Sequence, residues 1–241
     1  MKVSVIIPAA GASRRFGGKR KKIFEHLKGR PVFIRSIELF VNRDDVCQVQ
    51  LVVAAEDMEI MKTRYAASVG FMGVKLTLGG PERTDSVRNA LAEVCEQAEY
   101  VCVHDAARPC VSAVWIDAVF SAAAKTGSAI LAYPVHGTLK RVGPARRILG
   151  TADRDGLWEA QTPQVFRTEL LRRAYQAAKA PAGDDAALVE AIGQSVAVVP
   201  GDPRNVKITT RSDLALAAAV VDGLPKPKLE KSRGPFEEAQ W

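Results

Sequence analysis

The chain opens on an apolar run with little polar alternation, residues 2–8 (KVSVIIP), which breaks at a stretch of small residues. A short continuous apolar run suits a strand buried on both faces of a parallel sheet. Similar runs recur at 49–54, 74–78, 100–104, 129–133 and 196–200. Between them lie segments with helical spacing at 31–42, 58–69, 84–97 and 113–125. The first of these starts at Pro31, a residue favoured at the first helical position. In 84–97, Val87, Leu91, Val94 and Cys95 share one face. Such strand–helix alternation predicts an α/β fold, with a Rossmann-like, doubly wound and mostly parallel sheet.

The alternation stops after Tyr133. Residues 135–158 contain Gly137, Gly143, Pro144 and Gly150, with short β-like pieces at 139–142 and 147–149. This pattern predicts a protruding β-hairpin arm in place of another βα unit. Helical spacing returns at 168–179, 184–192 and 211–221. We expect residues 1–223 to form a single domain. Residues 224–241, rich in Pro, Lys and Glu, are expected to be a disordered tail.

A chain of 241 residues with 47% hydrophobic and 25% charged positions can bury a sizeable core without metals or disulfides. Cys47, Cys95, Cys102 and Cys110 form no C-x-x-C pair, and no histidine stands at zinc-finger spacing, so they are read as reduced, mostly buried thiols. No apolar run is long enough to span a bilayer, and the first apolar stretch is too short for a signal peptide. A cytoplasmic protein with no membrane partner is the expectation. The net charge of +7 points to an anionic partner (nucleotide, phosphate ester or nucleic acid) or simply to a basic surface. Aromatic content is 6%, and neither an RNA-recognition nor a helix-turn-helix signature occurs, which argues against nucleic acid.

Position decides more than net charge. Directly after the first predicted strand comes PAAGASRRFGGKRKKIF. In open α/β folds the carboxyl edge of the sheet is where ligands bind. Ala9, Ala10, Gly11 and Ala12 have little or no side chain, so backbone N–H groups there can approach a polyphosphate closely. Arg14, Arg15, Lys19, Arg20, Lys21 and Lys22 follow as cations. The loop is neither G-x-G-x-x-G nor a Walker A sequence, which leaves phosphate binding without a dinucleotide or P-loop assignment. Asp105 ends the apolar run YVCVH; a carboxylate there can bind a hard cation such as Mg2+, orient a substrate hydroxyl, or cap a helix.

The glycine-rich loop resembles that of the nucleoside-triphosphate transferase superfamily. Further motifs occur in order: GGPERTDSV at 79–87, VHDAARP at 103–109, GTLKR at 137–141, DRDGLWEAQTPQ at 153–164, GDDAALVE at 183–190 and NVKIT at 205–209. Together they resemble the 2-C-methyl-D-erythritol 4-phosphate cytidylyltransferases, over nearly the whole chain. The resemblance implies transfer of CMP from CTP to a sugar-alcohol phosphate, with Mg2+ as cofactor. It places Arg15, Lys22 and Lys207 at the triphosphate as catalytic cations. It places Ala9, Ala10, Gly11, Ala12, Gly79, Gly80 and Ser86 around the nucleotide. It puts Asp105, Ala106, Arg108, Thr138, Arg154 and Thr162 on the acceptor side, with Asp105 also the metal ligand. It further implies a homodimer in which the arm, through Thr138 and Arg154, reaches the partner's site. A ribitol 5-phosphate cytidylyltransferase shares most of these motifs and is the alternative.

Three positions depart from the family pattern. Pro81 stands where an acidic residue is frequent and offers no N–H. Ser13 replaces a frequent glycine, and Lys21 stands where proline is common before Lys22. Asp184 and Asp185 read as helix-start acids and His104 as a structural histidine.

Overall fold

The structure is a computed structural model that describes residues 1–17 and 20–227. Lys19 of the basic loop and most of the expected tail lie outside the described residues. Seven strands form the central sheet: β1 (Val3–Pro8), β4 (Val46–Val53), β5 (Lys75–Leu78), β6 (Tyr100–Val103), β7 (Ser128–Pro134), β10 (Trp158–Arg167) and β11 (Ala197–Pro200). Their spatial order is β11-β7-β10-β6-β1-β4-β5. β10 runs antiparallel to both its neighbours, and every other pairing is parallel. Two small hairpins stand outside this sheet: β2 (His26–Leu27) with β3 (Arg30–Pro31), and β8 (Leu139–Val142) with β9 (Ile148–Ala152).

The central strands are buried on both faces, as the unbroken apolar runs require. In β1, Val3, Val5 and Ile7 join one hydrophobic cluster and Ile6 the opposite one. The first cluster packs against α1 (Val32–Glu38), α2 (Met58–Thr63), α3 (Ala66–Phe71) and α5 (Ala113–Thr126). The second packs against α4 (Arg83–Ala92), α6 (Thr168–Ala177) and α7 (Asp185–Ala191). A third, smaller cluster has a functional consequence. It joins Phe16 of the basic loop to Leu27, Val32, Cys110, Ile208 and Ala217, the last on α8 (Arg211–Val220). Burial of Phe16 and Ile208 in one cluster therefore ties the loop after β1 to the segment that carries Lys207.

Several boundaries differ from the sequence reading. The helix read at 58–69 is two short helices, because Tyr65 turns into the core, stacked on Phe24 and edge-on to Phe33. The helix read at 84–97 ends at Ala92, and Pro31 precedes α1 as its N-cap. β10 was not anticipated. Its buried positions include Gln161, Thr162 and Gln164, and Pro163 interrupts the ladder, so neither apolar alternation nor strand composition marks it. The register of β10 against β7 is irregular across this stretch, and the Thr162–Pro163 peptide is cis. Cys102 and Cys110 are buried, whereas Cys47 and Cys95 are half-buried with their sulfurs 3.5 Å apart. No helix among the described residues is long and apolar enough to cross a membrane.

Candidate active site

The loops that leave the carboxyl ends of β1, β4, β5 and β6 enclose a cavity of about 500 Å³. Pro8, Ala9, Ala10, Gly11 and Ala12 form one wall; Gly79, Gly80 and Ser86 form another; Lys22, Asp105 and Lys207 meet where the walls join. The site lies beside the point where strand order reverses about β1, the position at which open α/β sheets bind ligands. A second cavity of about 280 Å³ adjoins it, lined by Arg108, Ala160, Thr162, Gln164 and Asp184 among others. Arg83, Asp105 and Lys207 line both cavities and form their shared wall.

The small residues are there for steric reasons. A Cβ on Gly79 would lie 2.6 Å from the Ala10 Cβ and 3.2 Å from the Val53 carbonyl oxygen. A Cβ on Gly80 would lie 2.4 Å from that of Asp85. The Gly80 N–H donates to Ser86 Oγ at 3.1 Å, and the Ser86 hydroxyl also donates to the Glu82 carbonyl, so Ser86 fixes the turn that borders the cavity. Pro81 lies in that turn and lines the cavity.

Two departures from the family pattern have structural counterparts. Ser13 has a left-handed backbone, φ 55°, which accounts for glycine being frequent there. Its side chain also accepts a hydrogen bond from the Lys22 N–H at 3.3 Å, closing the loop on itself. Lys21 pairs with Glu56 at 2.8 Å and Asp57 at 2.6 Å, and so fastens the residue before Lys22 to the turn after β4.

Lys22 and Lys207 face the same cavity from opposite ends of the chain. Burial pushes the Lys22 pKa down to about 8, and the charges of Lys207 and Arg15 add to the effect. Asp105 offsets part of this repulsion, and an anion bound in the cavity would offset more. Arg15 is exposed on the loop and acts on Lys22 through its charge; it is not among the cavity-lining residues.

Asp105 is the anionic centre. Burial alone raises its pKa, but Arg83, Lys207 and Arg108 outweigh this and hold the carboxyl well below the usual carboxylate range. Lys207 Nζ lies 2.7 Å from Oδ2, Arg83 Nε 3.4 Å from Oδ1, and Arg108 Nε 3.7 Å from Oδ2. The backbone behind it is fixed as well. Thr162 Oγ1 accepts from the Asp105 N–H at 3.1 Å and donates to His104 Nδ1 at 3.1 Å; His104 Nε2–H donates to the Arg108 carbonyl at 3.0 Å. Full burial lowers the His104 pKa to about 4, so the ring is neutral and structural. Thr162 reaches the second cavity, but its hydroxyl is already engaged in holding Asp105. Arg108 donates to the Asn205 carbonyl at 2.7 Å, while its buried Nε has no hydrogen-bond partner among the described residues beyond the looser ion pair with Asp105.

The remaining sequence assignments are placed as follows. Ala106 is buried with its carbonyl accepting from Ser36, and its neighbour Ala107 lines the cavity instead. Thr138 and Arg154 are exposed at the base of the hairpin arm and line neither cavity within one chain; Arg154 donates to the His136 carbonyl. Asp184 caps α7 by accepting from the Ala187 N–H at 3.0 Å. Asp185 also starts that helix, but its carboxylate binds Arg83. Arg83 was not identified from sequence, although it lies within GGPERTDSV; what marks it is its place at the first position of α4, beneath two carboxylates. Among the described residues no group of three His, Cys, Asp or Glu side chains could hold a metal. A hard cation on Asp105 would share the carboxylate with Lys207, Arg83 and Arg108 and would take most of its other ligands from phosphate oxygens and water.

Residues 3–223 match the family model described as 2-C-methyl-D-erythritol 4-phosphate cytidylyltransferase. A protein of that name from Symbiobacterium thermophilum is 43% identical over 225 residues, 91% of this chain and 93% of the relative. The one from Rhodopirellula baltica is 41% identical over 233 residues, covering 91% and 95%. The crystal structure of the Thermus thermophilus enzyme superposes with a TM-score of 0.77 at 33% identity, covering 92% of this chain and all of that one. A second crystal structure, a 4-diphosphocytidyl-2C-methyl-D-erythritol synthase, gives a TM-score of 0.78 at 32% identity, covering 92% and 99%. With the motifs in order, the sheet in this topology and the matching family model, the chain belongs to the 2-C-methyl-D-erythritol 4-phosphate cytidylyltransferase family.

Proposed function

We propose that this protein transfers CMP from CTP to 2-C-methyl-D-erythritol 4-phosphate, giving 4-diphosphocytidyl-2-C-methyl-D-erythritol and pyrophosphate. The observation that carries the reading is the meeting of Lys22 and Lys207 with Asp105 on one cavity at the carboxyl edge of the sheet. A phosphate oxygen of the acceptor attacks the α-phosphorus of CTP. The bond from that phosphorus to the bridging oxygen breaks, and its electron pair leaves with pyrophosphate. No covalent enzyme intermediate is needed, so the protein contributes position and charge.

Each group has a role in this scheme. The small residues 9–12 let backbone N–H groups approach the triphosphate, and Lys22 with Arg15 compensates its charge. Lys207 lines both cavities and so can stabilise the charge that builds on the α-phosphate between donor and acceptor. Gly79, Gly80 and Ser86 provide a rigid wall for the cytidine. Arg108 lines the second cavity and brings a guanidinium charge to it for the acceptor phosphate. Asp105 would hold Mg2+ together with phosphate oxygens, and the ion would neutralise charge on the α-phosphate and the departing pyrophosphate.

The arm supports a homodimer. Leu139, Val142, Ile148, Leu149, Leu157 and Trp158 are all exposed on it or at its base, an apolar surface that a second copy would cover. In that arrangement Thr138 and Arg154 would reach the acceptor phosphate in the partner's site. The same reading makes the protein a cytoplasmic enzyme.

Pyrophosphate release should be measured with each of the four common nucleoside triphosphates, against methylerythritol phosphate and ribitol 5-phosphate. Turnover with CTP and methylerythritol phosphate alone is the expected result. Preference for UTP, or for ribitol 5-phosphate, would overturn the assignment.

A further inference from the structure

Arg83 is held by an anion that the reaction does not otherwise use. Its Nη2 lies 2.7 Å from Asp185 Oδ2, and Asp185 has no exposed surface. The other carboxylate oxygen, Oδ1, accepts from the Tyr175 hydroxyl. Gln164, on β10, accepts from the backbone N–H groups of Asp185 at 3.2 Å and Ala186 at 3.1 Å, which locks the start of α7. A fully buried carboxylate is tolerated only where it is paired and hydrogen-bonded. Here those partners are Arg83, Tyr175 and their surroundings.

The pair does more than satisfy a buried charge, because Arg83 continues outward. Its Nε faces Asp105 Oδ1 at 3.4 Å, and Asp105 in turn holds Lys207 at 2.7 Å. A single line of paired charges, Asp185–Arg83–Asp105–Lys207, with the neutral Tyr175 hydroxyl at its inner end, thus runs from the core beneath α6 and α7 to the wall between the two cavities. The shorter bond goes to Asp185 and the longer to Asp105. Arg83 is thereby kept from closing fully on Asp105, and the carboxylate stays in reach of ligands. Without Asp185, Asp105 would be the one carboxylate left paired with the guanidinium among the described residues.

We propose that Asp185 and Tyr175 are positioning residues that act through Arg83, setting the Asp105–Lys207 pair for the acceptor in the second cavity. The inference rests on the acceptor binding there, as in the function proposed above.

Calorimetry with 2-C-methyl-D-erythritol 4-phosphate, and separately with CTP, tests it without turnover. Asp185→Asn should weaken acceptor affinity about tenfold, a fraction of what a hydrogen bond to a charged group contributes. CTP affinity should stay within about twofold, because the walls formed by residues 9–12 and 79–86 are untouched. Tyr175→Phe keeps the ring and removes one donor, so it should give about a threefold loss with the same selectivity. Arg83→Lys keeps the charge but cannot reach both carboxylates, and should resemble Asp185→Asn. A structural role alone would lower the melting temperature and weaken both ligands or neither. Wild-type acceptor affinity in folded Asp185→Asn and Tyr175→Phe overturns the inference. If Asp185→Asn does not fold, Tyr175→Phe and Arg83→Lys decide by the same criterion. Failure of the wild type to bind methylerythritol phosphate would instead remove the functional reading, and this inference with it.

Discussion

The Lys22 ammonium occupies a place that favours a polyphosphate and disfavours an empty site. Burial, with repulsion from Lys207 and Arg15, lowers its pKa from 10.5 to about 8. At 1.36 kcal/mol for each tenfold step, that difference corresponds to about 3 kcal/mol against the charged form in the folded state. Lys22 remains partly exposed, and solvent screening brings the figure to about 2 kcal/mol. Below pH 8 the amine is protonated in the folded and unfolded chains alike, so the folded state carries the whole penalty. Between about pH 8 and 10.5 the folded protein gives up the proton first, and the penalty fades as pH rises. Lys22→Met removes the charge at every pH. At pH 7, without nucleotide, this variant should melt about 4–8 °C higher than wild type, the shift about 2 kcal/mol produces in a domain of this size. CTP should reverse the comparison, raising the wild-type melting temperature more than that of the variant. Catalysis should show the same ionisation: kcat/KM for CTP falls above about pH 8 in the wild type, and Lys22→Arg, whose charge persists, loses that limb. Scanning calorimetry with and without CTP, and a pH profile of pyrophosphate release, are the assays. A Lys22→Met protein no more stable than wild type at pH 7, or a persistent alkaline limb in Lys22→Arg, would refute the reasoning.

Lys207→Ala should lower turnover by orders of magnitude with the fold intact, since the side chain is 41% exposed and packs little; near-normal turnover would contradict its place at the reacting phosphate. Arg154→Ala should raise the KM for methylerythritol phosphate and leave that for CTP unchanged, and sedimentation should show a dimer; a rise for CTP alone would count against the arm's role. Gly79→Ala places a Cβ 2.6 Å from Ala10, and the wall shift should weaken CTP about tenfold in a binding titration, in line with the 1–3 kcal/mol typical of overpacking. Because the Cys47 and Cys95 sulfurs lie 3.5 Å apart, oxidised glutathione should join them, release two molecules of reduced glutathione and raise the melting temperature; retention of both thiols would contradict that geometry.

How far the sequence discloses the molecule depends on which force shapes each part. The parallel strands are legible because burial on both faces demands unbroken apolar runs, and β1 with Val3, Val5, Ile6 and Ile7 is the plain case. β10 is not legible by that rule. Its inward-facing Gln161, Thr162 and Gln164 are polar and satisfied by partners distant in the chain, such as Asp184, Asn205 and His104. The loop cations declare themselves by composition, but Lys207 alone is an ordinary lysine. Its place follows from the burial of Ile208 in one cluster with Phe16, which no local pattern encodes. Arg83 and Asp185 are the clearest omission. Asp185 reads as a helix-start acid and Arg83 only as a member of GGPERTDSV, and their pairing spans 102 positions of the chain, so only the tertiary structure brings them together. Thr138 and Arg154 are a different case, since one chain by itself does not bring them to either cavity.

A crystal structure of the protein with CTP and Mg2+ tests the central claim most directly. The account predicts the triphosphate between the Lys22 and Lys207 ammonium groups, with the cytosine against Gly79 and Gly80 and the metal on Asp105. CTP seated with either lysine out of reach of its phosphates would contradict it.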